Sequence, residues 1–229
     1  MSTEALSAER IERTNHSAGV YTAAFGGVID ADAVTTIVDV GAGDSPFAEV
    51  YGQRSGKLIV RVDPDYAVTP PTGKDWLANT GQDMKLPSGF SDATVSAFLM
   101  QHLNPDEQKA VVQEMLRVTT EFDGDTRGVV GIFPLYKPEK LARFLSREGF
   151  CDGSDFTIYR DEQAFNTSIE TRKLILPTLW IPKKHTVDRQ AILLETIARS
   201  GALCRGDTIA KMARCVLMRI FGNNEFNVA

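Results

Sequence analysis

The residues of this chain best placed to do chemistry are Asp39, Gly41, Gly43 and Asp63. The first three lie where a β-branched run, Thr36-Ile37-Val38-Asp39-Val40, passes into Gly41-Ala42-Gly43-Asp44-Ser45-Pro46-Phe47. An apolar strand carrying an acid, then a two-glycine turn, then a helix with proline in its first turn reads as a nucleotide-cradling strand end. Glycine lets the backbone bend sharply and lie against a ligand with no Cβ in the way. Free N–H groups at the helix start favour an anionic group such as a carboxylate. A second apolar strand, Leu58-Ile59-Val60-Arg61-Val62, ends in Asp63, placed to accept hydrogen bonds from a ribose.

The glycine pattern separates the possible nucleotides. A nicotinamide fingerprint is G-x-G-x-x-G, and here Gly43 is followed by Asp44, Ser45 and Pro46 with no third glycine. Asp39-x-Gly41-x-Gly43 instead resembles motif I of the class I S-adenosylmethionine-dependent methyltransferases, with Ser45 where the family has its last glycine. The resemblance continues through Gln82-Asp83-Met84-Lys85-Leu86-Pro87, the strand and exit Phe90 to His102, the helix at Glu114-Met115-Leu116-Arg117-Val118, and Phe144 to Phe150. It covers roughly residues 34 to 180 with the segments in the family's order, and the stretch from Leu86-Pro87 through the strand ending near His102 resembles the small-molecule branch.

The resemblance implies roles residue by residue. S-adenosyl-L-methionine is the implied cofactor. Gly41, Ala42 and Gly43 would meet its methionine end through the backbone, with Asp39 near the ammonium group. Asp63, followed by Pro64, would hold the ribose. Asp83 would accept from the adenine amino group, Met84 would cover the ring, and Met100 and Gln101 would line the pocket wall. Tyr21 either caps the cofactor from the N-terminal segment or packs as an ordinary aromatic. His102 has two readings as well: a general base on the methyl-donor side of the cleft, or a ring that packs beside the cofactor. The reaction would be in-line displacement on the sulfonium methyl by an acceptor atom. The alternatives are an NAD(P)-dependent oxidoreductase on a similar sheet and a cofactor-binding partner protein without catalysis.

Composition narrows the partners. With 25 Lys and Arg against 30 Asp and Glu, the chain is formally −5, and such a balance argues against a broad phosphate-binding face. The Lys183-Lys184-His185 cluster is too short to change that, and no N-P-P-[YF] tetrad follows the fourth strand. A small-molecule acceptor is expected, without nucleic acid or membrane. The three cysteines, Cys151, Cys204 and Cys215, form neither a disulfide framework nor a zinc pattern, and no metal motif occurs. No apolar leader or spanning run is present, so a cytoplasmic protein is expected.

Alternation of strand and helix predicts an α/β fold. It would be a Rossmann-like, doubly wound, mostly parallel seven-stranded sheet with one antiparallel strand and helical additions at both termini. The expected division is an N-terminal helical segment (1–33), a cofactor-binding core (34–183) and a C-terminal helical extension of the same domain (184–229). The N-terminal helix is expected over Ser7 to Phe25. The Pro70-Pro71 and Gly73 stretch predicts that the usual helix between strands two and three is lost or reduced to a turn. Asn104, Pro105, Asp106 and Glu107 predict a sharp helix start, with Val111, Val112, Met115, Leu116 and Val118 on its core face. Strands near Phe156–Tyr159 and Arg172–Leu179 would complete the sheet, the second interrupted or at an edge because it contains Pro177. Two amphipathic helices follow, one marked by Ile192, Leu193 and Ile197 and one running from Ile209 to Ile220. They would add core cover on the sheet edge, form a homodimer surface or close over the substrate.

Overall fold

The computed structural model describes residues 8–159 and 177–203. The chain runs α1 (Ala8–Ile29), β1 (Thr36–Val40), α2 (Phe47–Ser55), β2 (Leu58–Val62), β3 (Trp76–Leu77), β4 (Ala93–Ala97) and α3 (Pro105–Val118). It continues through β5 (Val129–Phe133), α4 (Pro138–Arg147), β6 (Thr157–Tyr159), β7 (Thr178–Pro182) and α5 (Val187–Ser200). The seven strands form one sheet in the order β3-β2-β1-β4-β5-β7-β6, with β7 antiparallel to both of its neighbours and the remaining pairs parallel. This is the Rossmann-like doubly wound α/β fold, and its strand order reverses between β1 and β4, where such sheets open a crevice at the strands' carboxyl ends.

Period-two alternation sorts the sheet into two cores. Val38, Val40, Val60 and Val62 face a core shared with α3, α4 and α5. Ile37, Ile59, Val95 and Phe133 face a second core with α1 and α2, closed by Phe25, Ile29 and Phe47. Asp39 and Arg61 follow Ile37 and Ile59 by two residues. They therefore stand on the α1/α2 face, opposite each other in the β1–β2 register.

The α3 start is a full capping box. Asn104 Oδ1 accepts from the backbone N–H groups of Asp106 and Glu107, each at 3.0 Å, and the Asn104 N–H donates to Glu107 Oε2 at 2.8 Å. Behind it Val111, Val112, Met115, Leu116 and Val118 are all buried, each worth on the order of 1.5–3 kcal/mol of apolar burial. Between β2 and β3 the crossover helix is reduced to a single 3-10 turn, Pro64–Ala67. Arg61 anchors the proline loop that replaces it, through a 2.6 Å hydrogen bond to the Thr72 carbonyl.

One expectation is corrected. Of the strand expected at Arg172–Leu179, residues 172–176 lie outside the described residues, while Thr178 and Leu179 open β7, which lies inside the sheet between β5 and β6 and not at an edge. Pro177 thus stands outside the ladder, where its missing N–H costs nothing, and its carbonyl accepts from Leu135. In α5 the inward face is Leu193, Leu194 and Ile197, while Ile192 is 48% exposed. That helix adds core cover, one of the expected readings, and does so over α3 and α4. The expected helix from Ile209 to Ile220, with Cys204 and Cys215, lies outside the described residues.

Candidate functional site

The carboxyl ends of β1, β2 and β4 bring most of the expected residues together. Gly41 turns the chain out of β1 with φ +70°, and a Cβ there would lie 2.9 Å from Leu99 Cβ, so only glycine lets the exit of β4 pack onto this turn. Gly43 also has positive φ, +51°, but a Cβ there would meet nothing within 4 Å. The turn therefore presents open space at Gly43, as a backbone cradle for a ligand requires.

The backbone N–H groups of the glycine turn itself, ahead of the helix start, are engaged within the protein. Gly41 and Ala42 both donate to the Val62 carbonyl, at 2.8 and 3.4 Å, and Gly43 donates to Asp63 Oδ2 at 2.9 Å. The turn folds back onto the end of β2, and the three donors are used in holding it there. Asp63 Oδ1 accepts from Asp65 N–H at 2.9 Å, so Asp63 caps the 3-10 turn that begins at Pro64. The Tyr66 hydroxyl closes the arrangement by donating to the Gly43 carbonyl at 2.6 Å.

Asp39 is fully buried. Its Oδ1 accepts from the Tyr21 hydroxyl at 3.3 Å, while its Oδ2 has no partner. Burial pushes this carboxyl up to about 7, against the opposing influence of the Tyr21 hydroxyl and the Arg61 charge. Tyr21 comes from α1 and is itself stacked on Phe47 with ring centroids 4.3 Å apart. Its contact with Asp39 adds a polar role to the packing one.

The loop after β4 carries Met100, Gln101 and His102 in a 3-10 turn. Met100 points into the α3 core, and Gln101 Oε1 is buried without a partner. His102 is exposed, its Nε2 lying 3.2 Å from the Gln101 amide nitrogen. An amide N–H can donate to that ring nitrogen when the imidazole proton sits on Nδ1. A residue the sequence reading overlooked braces this turn. Gln108 of α3, 2% exposed, donates to the carbonyls of Met100 at 2.7 Å and Leu103 at 3.2 Å. Its position on the inner face of α3, among apolar neighbours, was the available signal.

The segment Asp83 to Leu86 is held from α3 as well. Glu114 Oε1 accepts from the Met84 N–H at 3.0 Å, and Arg117 donates to the Leu86 carbonyl at 2.7 Å while pairing with Glu114. Met84 is fully buried in the core. Asp83 is exposed and pairs with Lys85 at 2.5 Å. A groove of about 610 Å³ between α1 and α2, lined by Thr22, Gly26, Asp30, Tyr51 and Arg54 among others, shares no residue with the strand-end set.

Among the described residues no helix is long and apolar enough to cross a membrane, and no cluster of His, Cys, Asp and Glu is arranged to hold a metal ion. No family model matches the chain, and no curated protein matches it in sequence. Solved structures do. An S-adenosylmethionine-dependent methyltransferase from Archaeoglobus fulgidus is 15% identical, with 85% of this chain and 92% of that one covered at a TM-score of 0.47. Magnesium protoporphyrin IX methyltransferase from Synechocystis, solved with bound S-adenosylhomocysteine, is 11% identical over 80% and 90% at 0.42. The [4+2]-cyclase SpnF is 15% identical over 60% and 50% at 0.41. The fold assignment itself rests on strand order and register.

Proposed function

We propose that this protein is an S-adenosylmethionine-dependent methyltransferase acting on a small-molecule acceptor. The observation that carries the reading is the buried Asp39 carboxylate with one oxygen unmatched beside a two-glycine turn. An orphaned acceptor in a dry site calls for a donor, and a cationic one above all, because leaving it unpaired costs about 1–3 kcal/mol or more. The α-ammonium of a methionyl group meets that need; a nicotinamide dinucleotide brings no cation to the first strand's acid. The residues present fit the cofactor.

When bound, the cofactor supplies an activated methyl group with its own leaving group. The protein's contribution is then to bind and align. Asp39 accepts from the ammonium, Gly43 gives the backbone room to approach, and Asp63 keeps lone pairs for ribose hydroxyls beyond those used on Gly43 and Asp65. Gln101 offers its unmatched carbonyl oxygen to the pocket wall, and exposed Asp83 is available to an amino group. Alignment of donor and acceptor accounts for up to roughly 7–11 kcal/mol of barrier in such reactions. His102 takes a proton on Nε2 from an acceptor that must lose one, which requires the Gln101 amide to leave that nitrogen.

Thermal unfolding with S-adenosylhomocysteine, S-adenosylmethionine, NAD and NADP in parallel tests the reading. A ligand at about 100 times its dissociation constant adds roughly 2.7 kcal/mol to a two-state folder. Stabilisation by the adenosyl ligands, abolished in Asp63→Ala, is the expected result. Stabilisation by NAD or NADP alone would overturn it. Transfer of labelled methyl to a panel of small acceptors then identifies the substrate.

A further inference from the structure

We infer that Arg61 is a positioning residue: held by Glu49 and Thr72 beside Asp39, it supplies the positive charge that prepares the Asp39 carboxylate for the cationic end of the cofactor. The inference rests on the methyltransferase reading and adds to it a residue outside the motif. Arginine is unusual at the centre of an otherwise apolar parallel strand, and this one is only 5% exposed. Its guanidinium end is committed. One terminal nitrogen pairs with Glu49 Oε1 of α2 at 2.5 Å, and the other donates to the Thr72 carbonyl. Its Nε has no partner.

Asp39 stands opposite Arg61 in the β1–β2 register and on the same face of the sheet. Of the five buried side-chain polar atoms without a partner among the described residues, Arg61 Nε and Asp39 Oδ2 are two. They are a donor and an acceptor on adjacent strands, so the site holds a positive charge where an unpaired buried carboxylate most needs one. The groups acting on Asp39 come from each element around it. Tyr21 of α1 and Arg61 of β2 favour its ionised form, while burial and Asp63 oppose it. Glu49 lies beyond Arg61 and offsets part of the arginine's charge. Removing Arg61 and removing Glu49 must therefore move Asp39 in opposite directions.

The test is the dissociation constant of S-adenosylhomocysteine by calorimetry from pH 5.5 to 8.5, with the carbon-13 titration of the Asp39 carboxyl in the ligand-free protein as a second readout. In the wild type, affinity should weaken as pH falls through the Asp39 transition, approaching about tenfold per unit. Arg61→Met should move both midpoints upward by about one unit, weakening binding up to roughly tenfold at neutral pH. Arg61→Lys should restore them, and Glu49→Gln should move them downward. Unchanged midpoints in Arg61→Met and Glu49→Gln, with the wild type binding normally, would overturn the role of Arg61 alone. Absence of binding by the wild type at every pH would overturn the methyltransferase reading. Should Arg61→Met fail to fold, the sign of the Glu49→Gln shift decides.

Discussion

Two carboxylates at opposite ends of the same parallel ladder illustrate how this molecule divides its work. Asp92, at the amino end of β4, is 7% exposed and fully engaged. Its Oδ2 accepts from the Thr35 N–H at 2.9 Å, the Thr35 hydroxyl at 2.8 Å and the Thr36 N–H at 3.0 Å, and its Oδ1 accepts from Arg127 Nε at 2.8 Å. Burial pushes its carboxyl up, yet these hydrogen bonds outweigh burial and bring it below the usual carboxylate range. Asp39, near the carboxyl end of β1, is more deeply buried, has one neutral donor and one empty oxygen, and is pushed up to about 7. A satisfied carboxylate ties strands together. An unsatisfied one marks where the fold accepts a cost that a ligand can offset.

The largest effect on stability should come from breaking the satisfied partner. Asp92→Ala strands two backbone N–H groups and a hydroxyl at the start of β1, and should cost roughly 5 kcal/mol at pH 7, read from the urea midpoint. Because the folded-state pKa of Asp92 is depressed, its contribution is present above about pH 4 and fades as pH falls through the folded value. The loss in Asp92→Ala should shrink accordingly in acid. No loss at pH 7 would erase the contrast between the two ends.

Asp39→Asn should act in the opposite sense on the fold. The folded-state pKa is raised, so the stability linked to protonated Asp39 is full below the unfolded value and lost as pH rises through about 7. The amide variant should therefore be more stable than wild type at pH 8, by roughly 2–4 kcal/mol, with the gain vanishing toward pH 4. It should bind S-adenosylhomocysteine about 10–100 times more weakly, for loss of a charge-assisted hydrogen bond. Lower melting temperature at pH 8 with unimpaired binding would assign Asp39 to the fold alone.

A smaller change is expected from Gly41→Ala. Positive φ and the 2.9 Å approach to Leu99 should together cost about 2 kcal/mol, and displacement of the β4 exit should weaken cofactor binding. His102→Ala should be the mildest for the fold, within about 0.5 kcal/mol of wild type, because the ring is exposed. Turnover should still fall by about 10²–10⁴ with cofactor affinity unchanged, if the acceptor must lose a proton. Full turnover in this variant across the pH range would leave His102 a packing residue.

Much of this architecture was legible in the chain because its signals are local. The limits of β1 and β2, the capping box at Asn104, the crossover reduced by Pro70, Pro71 and Gly73, and the glycine turn all follow from residue type at fixed short spacing. What was not legible shares a cause. Pro177 suggested a strand interrupted or at an edge, and β7 starts after it and inserts between β5 and β6. Met84 follows an acid in a loop that Glu114 and Arg117 fasten from α3, and its side chain enters the core. Arg61 carried no signal in the apolar strand, because its partners Glu49 and Thr72 are reached only across elements.

The sequence by itself determined the order of strands and helices, the two turn glycines and the acids at the ends of β1 and β2, because periodicity and backbone propensity act over a few residues. Tertiary structure decided which polar groups are left unsatisfied. Tyr21 reaches Asp39 from α1, Val62 and Asp63 consume the N–H groups of the glycine turn, and Arg61 is buried at the same rung as Asp39. Hydrogen-bond satisfaction and desolvation depend on neighbours distant in the chain. The charge of Asp39, on which the proposed chemistry rests, therefore belongs to the fold and not to the motif.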